Sequence, residues 1–149
     1  MEQEYFVEFG KKFKDERRKH DIANDLYKTF NPEKKAKMFF ELSPSEVNKL
    51  ALVVAAKAVA SNLKMSQIRK ILNMSTNIQR KARNGKDISA DVAKLRYIIA
   101  YAAARHREIL PVAEVLDKII PKLDGKNYEK FHELLQAVVA YHKLLGGKD

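Results

Sequence analysis

Apolar side chains recur every three or four residues along most of the chain, and nowhere do they alternate convincingly in twos. Val92, Leu95, Ile98, Ile99, Ala102, Ala103 and Ile109 form one such stripe, and Phe131, Leu134, Leu135, Val138, Val139, Tyr141 and Leu145 form another. This is the spacing of amphipathic helices, about 3.6 residues per turn, and it argues against half-buried strands. Phe6, Phe9 and Phe13, followed by Ile22, Leu26 and Phe30, keep the helical spacing at the N-terminus, but the charges between them leave that segment thinly apolar. Residues 1–30 are therefore expected to form a charged helix or arm, loosely attached to a helical bundle domain over residues 31–149.

Helix stop and start signals divide the bundle. Asn31-Pro32 ends the first segment and opens a short helix carrying Ala36, Phe39, Phe40 and Leu42. Ser43-Pro44-Ser45-Glu46 has the spacing of a capping box and predicts a helix from about Pro44 to Ala60. Ser66 is the expected cap of the next helix, which ends near Asn84-Gly85, and Asp87 or Ser89 starts the one after. Pro111 opens a short helix that Pro121 closes, and Asn127 precedes a last helix that stops at Gly146-Gly147. The fold class expected is all-α, a single compact bundle of about five to seven helices.

Composition narrows the functional classes. At 46% apolar and 32% charged residues the chain of 149 residues is ordinary for one folded domain and too apolar for a disordered one. With no cysteine, it has no disulfide, thiolate metal site or cysteine nucleophile, which fits a cytoplasmic setting. The charged N-terminus lacks the apolar core of a signal peptide. The longest apolar run, Leu50 to Ala60, is broken by Lys57 and falls short of the roughly 18 residues of a membrane span, so no membrane insertion is expected.

Charge changes the picture most. Twenty-nine Lys and Arg against nineteen Asp and Glu give a net charge of +10, which favours a polyanionic partner, either nucleic acid or an anionic membrane surface. The excess is localised. From Val47 through Lys86 there is no acidic residue, while Lys49, Lys57, Lys64, Arg69, Lys70, Arg80, Lys81, Arg83 and Lys86 all lie there. Elsewhere the two signs nearly cancel, as on ordinary solvated helix faces.

Helical geometry orders these cations. At about 100° per residue, Ile68, Ile71, Leu72, Ser75, Ile78 and Ala82 fall in one arc, and Arg69, Lys70, Asn73, Asn77, Arg80 and Lys81 fall opposite. Arg69 stands above Arg80 and Lys70 above Lys81, about 16 Å away along the helix. Arginine forks, lysine point charges and side-chain amides suit a phosphate backbone with its sugar hydroxyls. The candidate RNA contacts are Arg69, Lys70, Arg80, Lys81, Arg83 and Arg105, with Gln67 and Lys64 nearby. Arg105, His106 and Arg107 also sit at a helix C-terminus, where cations stabilise the dipole without any ligand.

No catalytic constellation is legible. His20, His106, His132 and His142 share no i to i+4 spacing, no His-Glu-x-x-His occurs, and no Gly-rich loop precedes Lys-Ser or Lys-Thr. No cofactor is expected. Two rival readings remain open: a basic helical adaptor that docks an acidic protein, and a metal-dependent nuclease using Asp15, Glu16, His20 and Asp21.

Three stretches, in order, resemble the small helical subunit of the type III-A CRISPR interference (Csm) complex. They are Ser66-Gln67-Ile68-Arg69-Lys70, Tyr101-Ala102-Ala103-Ala104-Arg105, and Ala140-Tyr141-His142-Lys143 running into Gly146-Gly147-Lys148. The resemblance covers roughly Leu63 to Asp149. Where family members often carry an aromatic pair this chain has Leu144-Leu145, and where they have a Thr-rich entry it has Lys64-Met65. The resemblance implies a non-enzymatic subunit present in several copies, stacked as an inner filament beside backbone subunits that hold the guide RNA. It further implies a basic surface along the groove where target RNA pairs with the guide, in an antiviral ribonucleoprotein whose target cleavage belongs to the backbone subunits.

Overall fold

The computed structural model describes residues 5–149, and the first four residues of the expected arm lie outside the described residues. Eight α-helices follow one another: α1 (Phe6–Asp15), α2 (Lys19–Phe30), α3 (Pro32–Lys37), α4 (Pro44–Ala60), α5 (Met65–Arg83), α6 (Ser89–Arg105), α7 (Leu110–Ile119) and α8 (Tyr128–Leu144). Short 3₁₀ turns occupy Phe39–Glu41, Arg107–Ile109 and Ile120–Lys122, and no strand occurs among the described residues. The all-α bundle is thus as expected, with one helix beyond the range. The first segment accounts for the excess, because it breaks at Glu16, whose backbone is extended and whose carboxylate accepts from the Arg18 N–H.

α4 forms the centre. Val47, Leu50, Ala51, Leu52, Val53, Val54, Ala55, Ala56 and Ala58 are all buried, and they cover every side of the helix. A helix apolar all round can only be stable when surrounded, and α2, α3, α7 and α8 all pack on α4. Its alanines bring neighbouring backbones close, and each large side chain such as Leu50 or Leu52 contributes about 1.5–3 kcal/mol of burial. The capping box is formed: the Glu46 N–H donates to Ser43 Oγ at 3.2 Å, and the Ser43 N–H donates to Glu46 Oε1 at 3.0 Å. That second bond holds the Glu46 carboxyl below the usual carboxylate range.

Asn31 serves two helices at once. It adopts the left-handed conformation with φ 56°, ends α2 by donating its N–H to Tyr27 O, and accepts the Lys34 N–H on its side chain to start α3. Ser66, the expected cap of α5, does not fill that role. The helix begins two residues earlier, at Met65 with Lys64 at the cap, because Gln67 Oε1 accepts the Lys64 N–H at 3.0 Å. The C-terminal tail then closes over this start, with the Met65 N–H donating to Lys148 O at 2.7 Å.

α1 meets the bundle at few points, whereas α2 packs along α4. Phe13 and Ala23 are buried, Phe6 stands edge-on to Tyr141 at 5.3 Å, and Gly10 passes so close to α8 that a Cβ there would lie 2.6 Å from Leu144 Cγ. Lys57, from the acid-free segment, turns inward to donate to Asn24 Oδ1 of α2. Two buried residues in α1 against nine in α4 is a small anchor. We propose that the N-terminal segment, α1 foremost, is the loosely attached part of the chain and opens ahead of residues 31–149. Native-state hydrogen exchange should then show amides of α1 exchanging at least about tenfold faster than those of α4, and equal protection would overturn the division.

Candidate nucleic-acid interface

α5 turns its apolar arc inward and its cations outward. Ile68, Ile71, Ser75 and Ile78 are buried, while Arg69, Lys70, Asn73, Asn77, Arg80, Lys81 and Arg83 are exposed. Ser75 is the polar member of the inner face. Its hydroxyl shares hydrogen bonds of 2.8 Å with Tyr128 Oη and with His132 Nδ1, so all three groups are satisfied inside the contact between α5 and α8. Burial pushes the Tyr128 hydroxyl up to about 12 and pushes the His132 imidazole down, keeping both neutral.

α6 runs back alongside α5, and two hollows open between them. One, of 220 Å³, has Lys70, Tyr101, Arg105 and His106 around an apolar floor that includes Ile71 and Met74. The other, of 500 Å³, lies toward the far end of α5 and carries Arg80, Lys81, Lys86 and Lys94 with Asn77 and Asn84. Lys70, Arg80 and Lys81 therefore border a groove with α6 as its second wall, whereas Arg69 and Arg83 are exposed on α5 outside both hollows.

The candidate contacts differ in their present partners. Among the described residues Arg69 and Lys70 make no ion pair, and Arg80 donates only to Asn77 Oδ1 at 3.5 Å. Lys81 pairs with Asp91 at 2.9 Å, and Arg83 pairs with Glu129 at 3.0 Å. The bond from Arg83 is the largest influence holding the Glu129 carboxyl below its usual range. Both pairs are solvent-exposed, where such contacts contribute only about 0–1 kcal/mol, so a phosphate can compete for either cation. Gln67 is committed inward: beyond accepting from Lys64 it donates to Glu108 Oε1 at 3.2 Å. Lys64 is exposed beside Lys14, Lys19 and Lys148, at a separate hollow formed with the C-terminal tail. Arg105 caps the other rim, its guanidinium 5.7 Å above the Tyr101 ring.

Lys86, Lys94, Tyr101 and His106 join the groove without having been singled out as contacts. A signal for two of them exists in the sequence: Lys94 and Tyr101 recur with Tyr97 and Arg105 at three- and four-residue steps, a polar and aromatic stripe on the side of α6 away from Leu95 and Ile99. The two tyrosines are each 63% exposed. Among the described residues no group of three or more His, Asp or Glu could hold a metal ion, and Asp15, Glu16, His20 and Asp21 do not gather into one. Nor is any described helix long and apolar enough to cross a membrane.

Fold and surface together define a small, basic, all-helical protein with exposed cations along the groove between one helix pair, α5 and α6. Residues 41–148 match the family described as Csm2 Type III-A, so the match reaches back beyond the Leu63–Asp149 resemblance to include all of α4. A relative from Streptococcus thermophilus, named as the CRISPR system Cms protein Csm2, is 30% identical over 92 residues, which is 58% of this chain and 76% of that protein. The chain belongs to the Csm2 family, a structural subunit family of the type III-A CRISPR complex.

Proposed function

We propose that the protein is a non-catalytic, RNA-binding subunit that stacks in several copies as the inner filament of a type III-A effector and positions target RNA along the guide. The observation that carries this reading is the exposed α5 row, in which Arg69, Lys70 and Arg80 lack carboxylate partners among the described residues and the latter two border the groove against α6. Such cations favour a strand of closely spaced phosphates. Lys81, Arg83 and Arg105 extend the row, Lys64 adds charge at the start of α5, and Gln67 holds that start in place. The partners are target RNA, guide RNA, the backbone subunits and further copies of the chain, in a cytoplasmic antiviral ribonucleoprotein.

Magnitudes favour a multi-copy arrangement. Three phosphates neutralised per copy on a single strand give a slope of log K against log salt of only about −2, so a lone copy binds weakly. Linking copies makes later contacts intramolecular and raises avidity by about 10² to 10⁴.

Titrating the purified protein with generic single-stranded RNAs of increasing length tests the proposal. Affinity should rise with length as the strand spans one copy and then several. A basic adaptor for an acidic protein would show no length dependence, and that result would remove the RNA reading. Magnesium- or manganese-dependent cutting lost on Asp15→Ala or Asp21→Ala would instead restore the nuclease reading.

A further inference from the structure

The 220 Å³ hollow between α5 and α6 differs in chemistry from the rest of the basic groove. Its floor is apolar, made in part by Ile71, Met74, Ile98 and Ala102. A row of phosphates alone needs no apolar floor, and water in such a hollow finds few hydrogen-bond partners. Its rim holds Lys70 on one side and Arg105 on the other, neither of them ion-paired among the described residues. Among the described residues no carboxylate lines the hollow, and Glu108, which meets two of its lining residues, is engaged by Gln67 at 3.2 Å and by His106 at 3.4 Å. Tyr101, 63% exposed, stands at the edge with the Arg105 guanidinium over its ring.

An occupant must therefore be flat and largely apolar on its face, and it must carry negative charge within reach of Lys70. A nucleotide has that construction. Its base offers a π-face to Tyr101 or to the Arg105 plane, and its phosphate continues the α5 row. Unstacked bases of single-stranded RNA are commonly held on aromatic rings and on arginine planes.

We propose that this hollow is a sequence-tolerant pocket for one unstacked base of a single RNA strand, with Tyr101 as the stacking surface and Lys70 on the adjoining phosphate. The proposal rests on the RNA-binding reading above and adds a base contact to its phosphate contacts.

The full-length protein is titrated with two strands of equal length and charge, a single-stranded RNA and a ribose-phosphate strand lacking bases, across a salt series. Stacking of one base on an aromatic side chain corresponds to about a five- to hundredfold gain in affinity. The base-bearing strand should bind at least about fivefold tighter, with the same salt slope for both. Tyr101→Ala, an exposed change that leaves the core untouched, should erase the difference, and Tyr101→Phe should keep it. Equal affinity for the two strands would overturn the base pocket while leaving the phosphate reading standing. No salt-dependent binding of either strand would overturn both. A shift in sedimentation on Tyr101→Ala with no change in RNA binding would show a second copy in the hollow and would also overturn the proposal.

Discussion

Replacing Arg69, Lys70 and Arg80 together with alanine is expected to flatten the salt dependence of RNA binding. Each phosphate neutralised on a single strand contributes about −0.7 to the slope of log K against log salt. Removing three such contacts should reduce the slope by about 2, so that roughly twentyfold of the affinity the wild-type protein loses between about 50 and 200 mM salt is no longer lost by the triple variant. The loss would be one of charge rather than of fold. All three side chains are exposed on α5, alanine is the strongest helix former, and surface changes of this kind usually alter stability by less than about 0.5 kcal/mol. Arg83→Ala should have a smaller effect, because Glu129 already lies 3.0 Å from that guanidinium. Filter binding across the salt series measures both variants. An unchanged slope in the triple variant, alone and in the assembled complex, would mean that the α5 row does not meet phosphate.

The limits of reading this groove from sequence are visible in the same residues. Periodicity was enough to separate the inner and outer faces of α5, since that depends only on the helical repeat. It could not say what stands opposite. The stretch from Val47 to Lys86 lacks acids along the chain, yet Asp91 reaches Lys81 from the next helix and Glu129 reaches Arg83 from 46 residues away. An acid-free sequence is therefore not an acid-free surface, because a helix hairpin brings in the charges of its neighbour. The groove itself needs α6 beside α5, and no property of either helix alone encodes its width or its apolar floor. Local signals worked where the partners lie within one turn. Ser43 and Glu46 form their box at the expected residues, and α4 runs from Pro44 to Ala60. The expectation of a Ser66 cap failed for the same local reason, since Gln67 offers Lys64 a better acceptor and moves the helix start back to Met65. Tyr128 and His132 lay outside the apolar stripe of α8 because they are polar, and only the buried Ser75 hydroxyl makes room for them inside.

Mild acid is expected to destabilise the protein, and two buried histidines set the window. His142 is fully buried; its Nε2–H donates to Leu63 O at 2.7 Å, which leaves the lone pair on Nδ1, a buried atom without a hydrogen-bond partner. Gly147 covers that nitrogen so closely that a Cβ at this residue would lie 2.0 Å from it, so no acceptor can approach without moving the tail. Protonating Nδ1 would create an unpaired cation in the core, and burial accordingly pushes the His142 imidazole below its ordinary value. His132 is 2% exposed and is also pushed down by burial, with Arg83 acting in the same direction and Glu129 and Glu133 opposing. Because both folded values lie below the unfolded value of about 6.5, the unfolded chain binds more protons once the pH drops beneath it. The stability due to neutral histidines is thus fully present above about pH 6.5 and is lost as the pH falls toward the folded values. Each group can contribute up to about 1.4 kcal/mol per pH unit once the unfolded imidazole is fully protonated; because it is only half protonated at about pH 6.5, the pair can lower stability by at most about 2 kcal/mol between about pH 6.5 and 5.5. The carboxyls of Glu46, Glu108 and Glu129 are held below their usual range, so they titrate at lower pH and do not share this window. Urea unfolding at pH 7.5, 6.5 and 5.5 measures the loss. His142→Gln keeps a donor for Leu63 O and removes the proton-binding nitrogen, so it should roughly halve the pH slope; a slope left unchanged would show that the buried imidazole at the C-terminal turn is not its source.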